Sequence, residues 1–153
     1  MDTYNMIDFN KKKGFICDMD GVIYHGNRVL PGVAEFIQWL HDEDKEYLFL
    51  TNNSGYTPRE LHQKLERMGL DVSEEHFYTS ALATAAFLRD QAPGCSVFAI
   101  GEAGLLNALY DAGITMNDVN PDYVVVGEGR SYSLDTLTKA TNLVWKGAKL
   151  IGA

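Results

Sequence analysis

The chain has 153 residues, 46% of them hydrophobic and 22% charged, the balance of a soluble globular protein and not of a disordered or fibrous one. A chain of this length buries about two-thirds of its unfolded surface and builds a core without staples. Thirteen Lys and Arg against 21 Asp and Glu give a net charge of −8, which argues against a general nucleic-acid or membrane-surface binder. Phosphorylated small molecules stay open to it, because one divalent cation inverts the local field. The two cysteines, Cys17 and Cys95, make no disulfide framework and read as thiols in a reducing compartment. The start, Met1-Asp2-Thr3-Tyr4-Asn5, shows no leader pattern, and no apolar run approaches membrane-spanning length. The expected location is the cytoplasm.

Short apolar runs alternate with segments of helical period. Gly14-Phe15-Ile16-Cys17 is the first expected strand, stopped by Asp18. Val33, Phe36, Ile37 and Leu40 follow at i, i+3, i+4 and i+7, an amphipathic helix opened by Pro31-Gly32. Glu46 to Leu50 is the second strand, stopped by Thr51-Asn52-Asn53-Ser54-Gly55. Thr57-Pro58-Arg59-Glu60 is a capping box with proline at the first helical position, and Gly69 closes that helix. His76 to Thr79 is the third strand, with Ser80 placed to cap a helix over 81–91. Cys95 to Ile100 is the fourth strand, followed by a helix between Gly101 and Gly113. Tyr123 to Val126 is the fifth strand, and Ser133 caps a helix carrying Leu137, Ala140, Leu143 and Val144. Lys149 to Ala153 is the sixth.

The pattern is β-α repeated with short connections: an α/β fold whose unalternated strands are expected to be buried on both faces of a parallel sheet. Gln91-Ala92-Pro93-Gly94 is the best candidate boundary. The ending Ile151-Gly152-Ala153 reads either as an interrupted chain or as a six-stranded domain finishing on a strand.

In an open parallel sheet, ligands sit beyond the carboxyl ends of the strands. After strand one come Asp18-Met19-Asp20-Gly21, and after strand two Thr51-Asn52-Asn53-Ser54. Two carboxylates so close call for a cation, and Mg²⁺ takes one or two carboxylates with water and phosphate oxygens. A carboxylate facing phosphorus beside that cation can attack it to form an acyl phosphate. A second carboxyl group can protonate the leaving oxygen and then activate water. Thr51, Asn52 and Asn53 can hold phosphoryl oxygens. Either loop alone is commonplace, since Asp-x-Asp recurs in acidic chains and Asn and Ser are ordinary turn residues. Both loops, each directly after an apolar strand, are far more specific.

The stretch from Phe15 to Ile23, with Asp18-Met19-Asp20-Gly21-Val22 at its centre, resembles the first motif of the haloacid dehalogenase superfamily, and Leu50-Thr51-Asn52-Asn53-Ser54 its second. The nearer likeness is to the NagD-like branch of nucleotide monophosphatases and p-nitrophenyl phosphatases. Pro31-Gly32-Val33, Phe77-Tyr78-Thr79-Ser80, Asn120-Pro121-Asp122-Tyr123, Val126-Gly127-Glu128 and Arg130-Ser131-Tyr132 carry it across most of the chain. The resemblance implies a Rossmann-like, doubly wound core with an inserted α/β cap, residues 1–88 belonging to the core and 89–153 to the cap. It implies Asp18 as nucleophile and Mg²⁺ ligand, and Asp20 as general acid/base whose main-chain carbonyl is a second metal contact. It implies Thr51 and Asn52, with Asn53, at the phosphoryl group of a small substrate, a nucleoside monophosphate or a sugar phosphate. A third-motif lysine and a fourth-motif acidic pair would follow the cap, and neither occurs in this sequence. That favours the interrupted reading, with the later parts of core and cap absent.

Two rival readings stand beside the phosphatase: an inactive fragment or divalent-ion-binding domain, and an Asp-x-Asp nucleotide-sugar transferase. An unfinished sheet also leaves an open edge, so self-association is expected. His25 reads as a loop residue, and His41, His62 and His76 show no metal-ligand spacing. Glu128 and Arg130 follow the fifth strand and are placed to reach toward the leaving group. Trp39 and Trp145 are expected to be packed within the fold.

Overall fold

The computed structural model describes residues 8–130 and 132–153. The stretch Met1–Asn5, read above for a leader pattern, and Ser131 lie outside them. Two parallel sheets form the molecule. The first, in the order β1-β4-β5, contains β1 (Gly14–Asp18), β4 (Glu46–Thr51) and β5 (Phe77–Thr79). A short antiparallel hairpin, β2 (Tyr24–His25) and β3 (Arg28–Val29), stands directly after β1. The second sheet, in the order β7-β6-β8-β9, contains β6 (Ser96–Ile100), β7 (Thr115–Met116), β8 (Tyr123–Val126) and β9 (Lys149–Gly152).

Helices α1 (Val33–Asp42) and α2 (Pro58–Arg67) cover one face of the first sheet. Val33, Ile37 and Leu40 of α1 and Leu61 and Leu65 of α2 close over Tyr47, Phe49 and Phe77. Phe15 packs edge-on against Phe36 and Trp39 on the same side. The capping box forms as its sequence requires: Thr57 Oγ1 accepts the Glu60 N–H at 3.1 Å, and Glu60 Oε2 accepts the Thr57 N–H at 2.8 Å.

The other face of this sheet differs from the expectation of strands buried on both sides. Ile16 is 72% exposed, and Leu50 and Tyr78 are also exposed. Side chains alternate along each strand, and no helix among the described residues crosses this side.

The second sheet is wound on both faces. Helices α3 (Ser80–Gln91) and α4 (Ala103–Asp111) lie on one side, where Ala81, Ala85 and Leu88 meet Leu105 and Leu109 over Val97 and Val125. On the other, α5 (Leu134–Trp145) places Ala140 and Leu143 against Val124 and Ile100. So α3 starts at the end of β5 and buries its apolar side with the second sheet. Its cap is Thr79, whose Oγ1 accepts the Leu82 N–H, and Ser80 is its first helical residue.

Candidate active site

Asp18 ends β1 and Thr51 ends β4. The strands are parallel neighbours with Asp18 opposite Leu50, and β4 in turn pairs with β5 with Thr51 opposite Thr79. The Asp18 loop, the Thr51 loop and the start of α3 therefore leave one edge of one sheet side by side. The structure thus brings the five residues singled out by sequence, Asp18, Asp20, Thr51, Asn52 and Asn53, to a common rim.

The Asp18 loop is a tight turn anchored by the fully buried Met19, whose carbonyl accepts the N–H groups of Val22 and Ile23 at 3.2 and 2.9 Å. The Gly21 N–H donates to the Tyr24 carbonyl at 2.8 Å, which requires φ +79° at Gly21, a conformation other residues adopt only under strain. Asp18 Oδ1 accepts the Met19 N–H at 2.8 Å, which orients the carboxylate and leaves its second oxygen for a ligand. Asp18 and Asp20 are both exposed. The adjacent Cys17 thiol is pushed up by burial, stays protonated, and makes a poor nucleophile beside Asp18.

Thr51 is buried, and its Oγ1 accepts the Asn53 N–H at 3.1 Å, so the hydroxyl proton is available to a ligand. The Asn52 carbonyl accepts the Ser80 hydroxyl at 2.9 Å, tying the loop to α3. Asn53 turns out to hold the protein together: Oδ1 accepts the N–H groups of Gly55 and Tyr56 at 2.9 and 3.0 Å, and Nδ2 donates to Glu128 at 2.5 Å. Ser54, fully buried, accepts the Glu128 N–H at 2.6 Å. The Gly104 N–H donates to the Gly55 carbonyl at 2.9 Å. A Cβ at Gly104 would lie 2.6 Å from the carbonyl oxygens of Ser54 and Tyr56. The second sheet is thus docked, through the loops after β6 and β8, on the Thr51 loop. A cavity of about 300 Å³ opens at this junction, lined by Asn53, Tyr56, Glu102, Glu128 and Arg130 among others.

Ser54 and Ser80 were not singled out by sequence, although Ser54 belongs to the Thr-Asn-Asn-Ser run and Ser80 stood out as a cap. Their hydrogen bonds join residues far apart in the chain, and no local pattern signals them. His25, expected on a loop, lies on β2 of the short hairpin. His41 meets the Tyr47 hydroxyl, while His62 and His76 meet main-chain carbonyls. Trp145, expected to be packed within the fold, is instead 89% exposed at the end of α5. Among the described residues no three His, Cys, Asp or Glu side chains gather into a metal cluster.

A family model described as haloacid dehalogenase-like hydrolase matches residues 15–115. The chain belongs to that family. Ribonucleotide monophosphatase NagD of Escherichia coli K12 is 45% identical over 139 residues, covering 91% of this chain and 55% of its own length. Dihydroxyacetone phosphatase of Corynebacterium glutamicum is 44% identical over 137 residues, covering 90% of this chain and 50% of its own. The solved structure of NagD from E. coli K-12 superposes with a TM-score of 0.86 at 45% identity, over 92% of this chain and 56% of that one. The chain spans about half the length of the curated relatives it matches. Membership of a hydrolase family sets aside the nucleotide-sugar transferase alternative.

The docking of the two sheets yields a direct check. Gly104→Ala forces a methyl group against two carbonyls, so stability should fall by about 1–3 kcal/mol in urea unfolding. Amide exchange at Glu128 should speed up with it. An unchanged midpoint together with unchanged exchange would mean that the sheets do not meet there.

Proposed function

We propose that this haloacid dehalogenase-like chain carries the nucleophile and the phosphoryl-holding loop of a Mg²⁺-dependent phosphomonoester hydrolase. The single observation behind this reading is the shared rim, where an oriented carboxylate stands beside a loop of free hydroxyl and amide donors. Asp18 attacks phosphorus, the bond to the ester oxygen breaks, and an aspartyl phosphate forms. Asp20 gives its proton to the departing oxygen, then takes one from the water that attacks the phosphoryl group and frees Asp18. The Thr51 hydroxyl and the Asn52 amide donate to the phosphoryl oxygens as their charge redistributes, while Asn53 holds the loop in shape.

The donors at the rim suit Mg²⁺. Asp18 offers a hard carboxylate oxygen and Asp20 its main-chain carbonyl, and with no cluster of three acidic side chains among the described residues the remaining positions would fall to water and phosphate oxygens. Bound there, Mg²⁺ would offset the charge that the two carboxylates and the substrate bring together.

The substrate class is a small phosphorylated metabolite, a nucleoside monophosphate or a sugar phosphate. The relatives named for ribonucleotide monophosphates and for dihydroxyacetone support it, as does the roughly 300 Å³ junction cavity. The charge of −8 counts against nucleic acid and membrane surfaces as partners. Residues 1–88 are assigned to a core and 89–153 to a cap; the two separate sheets support two units, while Ala81, Ala85 and Leu88 of α3 pack with the second sheet on the core side of that boundary. Two unpaired cysteines support a cytoplasmic location. No helix among the described residues is long and apolar enough to cross a membrane.

A second reading, a divalent-ion-binding piece without turnover, is favoured by one observation: among the described residues the rim presents two acidic side chains and no cluster of three. Hydrolysis of p-nitrophenyl phosphate separates the two. The hydrolase reading expects Mg²⁺-dependent turnover that Asp18→Asn lowers more than about a thousandfold. Activity surviving Asp18→Asn would reject covalent catalysis, and Mg²⁺ binding without turnover would establish the second reading for this chain. We propose further that copies of the chain associate through the first sheet, where Ile16, Leu50 and Tyr78 are uncovered and β1 is an edge strand. Sedimentation should show a concentration-dependent oligomer that Ile16→Lys weakens; a monodisperse monomer would contradict this.

A further inference from the structure

Strand β8 is followed by Gly127-Glu128-Gly129-Arg130, a loop whose main chain is tied along its length. The Gly127 N–H donates to the Ile100 carbonyl at 2.8 Å, and the Gly127 carbonyl accepts the Tyr132 hydroxyl. The Glu128 N–H donates to Ser54 Oγ at 2.6 Å, and the Glu128 carbonyl accepts the Glu102 N–H at 3.2 Å. The Arg130 N–H donates to Glu102 Oε1 at 3.1 Å. A loop held in this way presents its side chains from a fixed place.

The two charged side chains of the loop have different fates. The Glu128 carboxylate is taken by Asn53, whose Nδ2 donates to it at 2.5 Å. The Arg130 guanidinium makes no hydrogen bond and no ion pair among the described residues, although Glu102 and Glu128 line the same cavity. Five N–H donors in a planar fork are therefore left for a ligand. Arg130 stands in the wall of the roughly 300 Å³ junction cavity together with Asn53 and Tyr56. Asn53 belongs to the Thr51 loop, so the cavity adjoins the residues assigned to the phosphoryl group.

The lining sets what the fork can take. Glu60, Glu102 and Glu128 stand against one arginine, so a ligand with a second negative charge is disfavoured there. A neutral group with two adjacent acceptor atoms suits the fork, as O6 and N7 of a keto-purine do. The exposed Tyr56 ring offers such a group an apolar face in the same cavity.

We propose that Arg130 is a specificity-determining residue, which reads the leaving group of the substrate through a pair of acceptor atoms and favours a keto-purine nucleoside. This deepens the hydrolase reading and rests on it. The discrimination comes from the shape of the guanidinium and not from its charge, since an ammonium in its place supplies the charge without the fork.

The leaving groups themselves provide the test: inosine, which offers acceptors at O6 and N7, and adenosine, which places an amino donor at position 6. Neither carries phosphate, so binding is read by NMR on the labelled chain without Mg²⁺ or turnover, from the Arg130 Nε–H and the Asn53 amide. Inosine should move both signals and bind about five- to 150-fold more tightly than adenosine. Arg130→Lys and Arg130→Ala should bring the two nucleosides within about twofold of each other, with the Glu128 amide signal of the free protein unchanged as the sign of an intact loop. Equal binding to the wild-type chain would overturn the inference. So would a preference that survives Arg130→Lys, or the absence of nucleoside binding at these signals. Asp18-dependent hydrolysis without the preference would reject this inference alone. Hydrolysis that survives Asp18→Asn, with the preference intact, would reject covalent catalysis and leave recognition by Arg130 standing.

Discussion

Parallel strands end on the same edge of a sheet, and the register that sets Asp18 opposite Leu50 decides what meets at that edge. The residue after Leu50 is Thr51, so a carboxylate turn and a hydroxyl-amide turn become neighbours by backbone hydrogen bonding alone. Slipping the pairing by one residue would turn the side chains of β1 to the opposite face and move Asp18 away from the Thr51 loop. The half-buried Phe15 and Cys17 and the buried ranks Tyr47–Phe49–Thr51 and Phe77–Thr79 oppose that slip, because it would carry the side chains of β1 out from under α1 and α2. The core under the sheet thus fixes the geometry above its edge.

Much of this was legible in the sequence. Strands β1, β4, β5, β6, β8 and β9 are apolar runs of strand length, and each stands within a residue or so of the place its sequence implies. Helix α2 begins where Thr57-Pro58-Arg59-Glu60 says it must. The two-residue strands β2, β3 and β7 were not legible, since pairs as short as Tyr24–His25 and Arg28–Val29 carry no periodicity. That the two loops share a rim was legible, but the contacts made there were not. Asn53 looks like a ligand-binding amide beside Thr51, and its partner Glu128 stands 75 positions away. Ser80 is displaced as a cap by Thr79 and bonds instead to the Asn52 carbonyl. In each case a long-range contact overrides a sound local rule.

The two sheets answer to different constraints. The second is covered by α3 and α4 on one side and α5 on the other. The first is covered by α1 and α2 on one side only, leaving Ile16, Leu50 and Tyr78 in solvent. An apolar face of that kind is uncommon on a parallel sheet. It occurs in a chain that spans about half the length of its curated relatives. The rim belongs to the half-covered sheet, and it draws rigidity from the second sheet through Ser54, Gly104 and Glu128.

The most direct probe of the shared rim is paramagnetic broadening by Mn²⁺ standing in for Mg²⁺. The account predicts that Mn²⁺ bleaches the amide signals of residues 18–22 and of 51–53 together, at the same titration point, and that Asp18→Asn weakens both effects in parallel. Broadening confined to one turn, with the other untouched, would place the two loops in separate sites and contradict it.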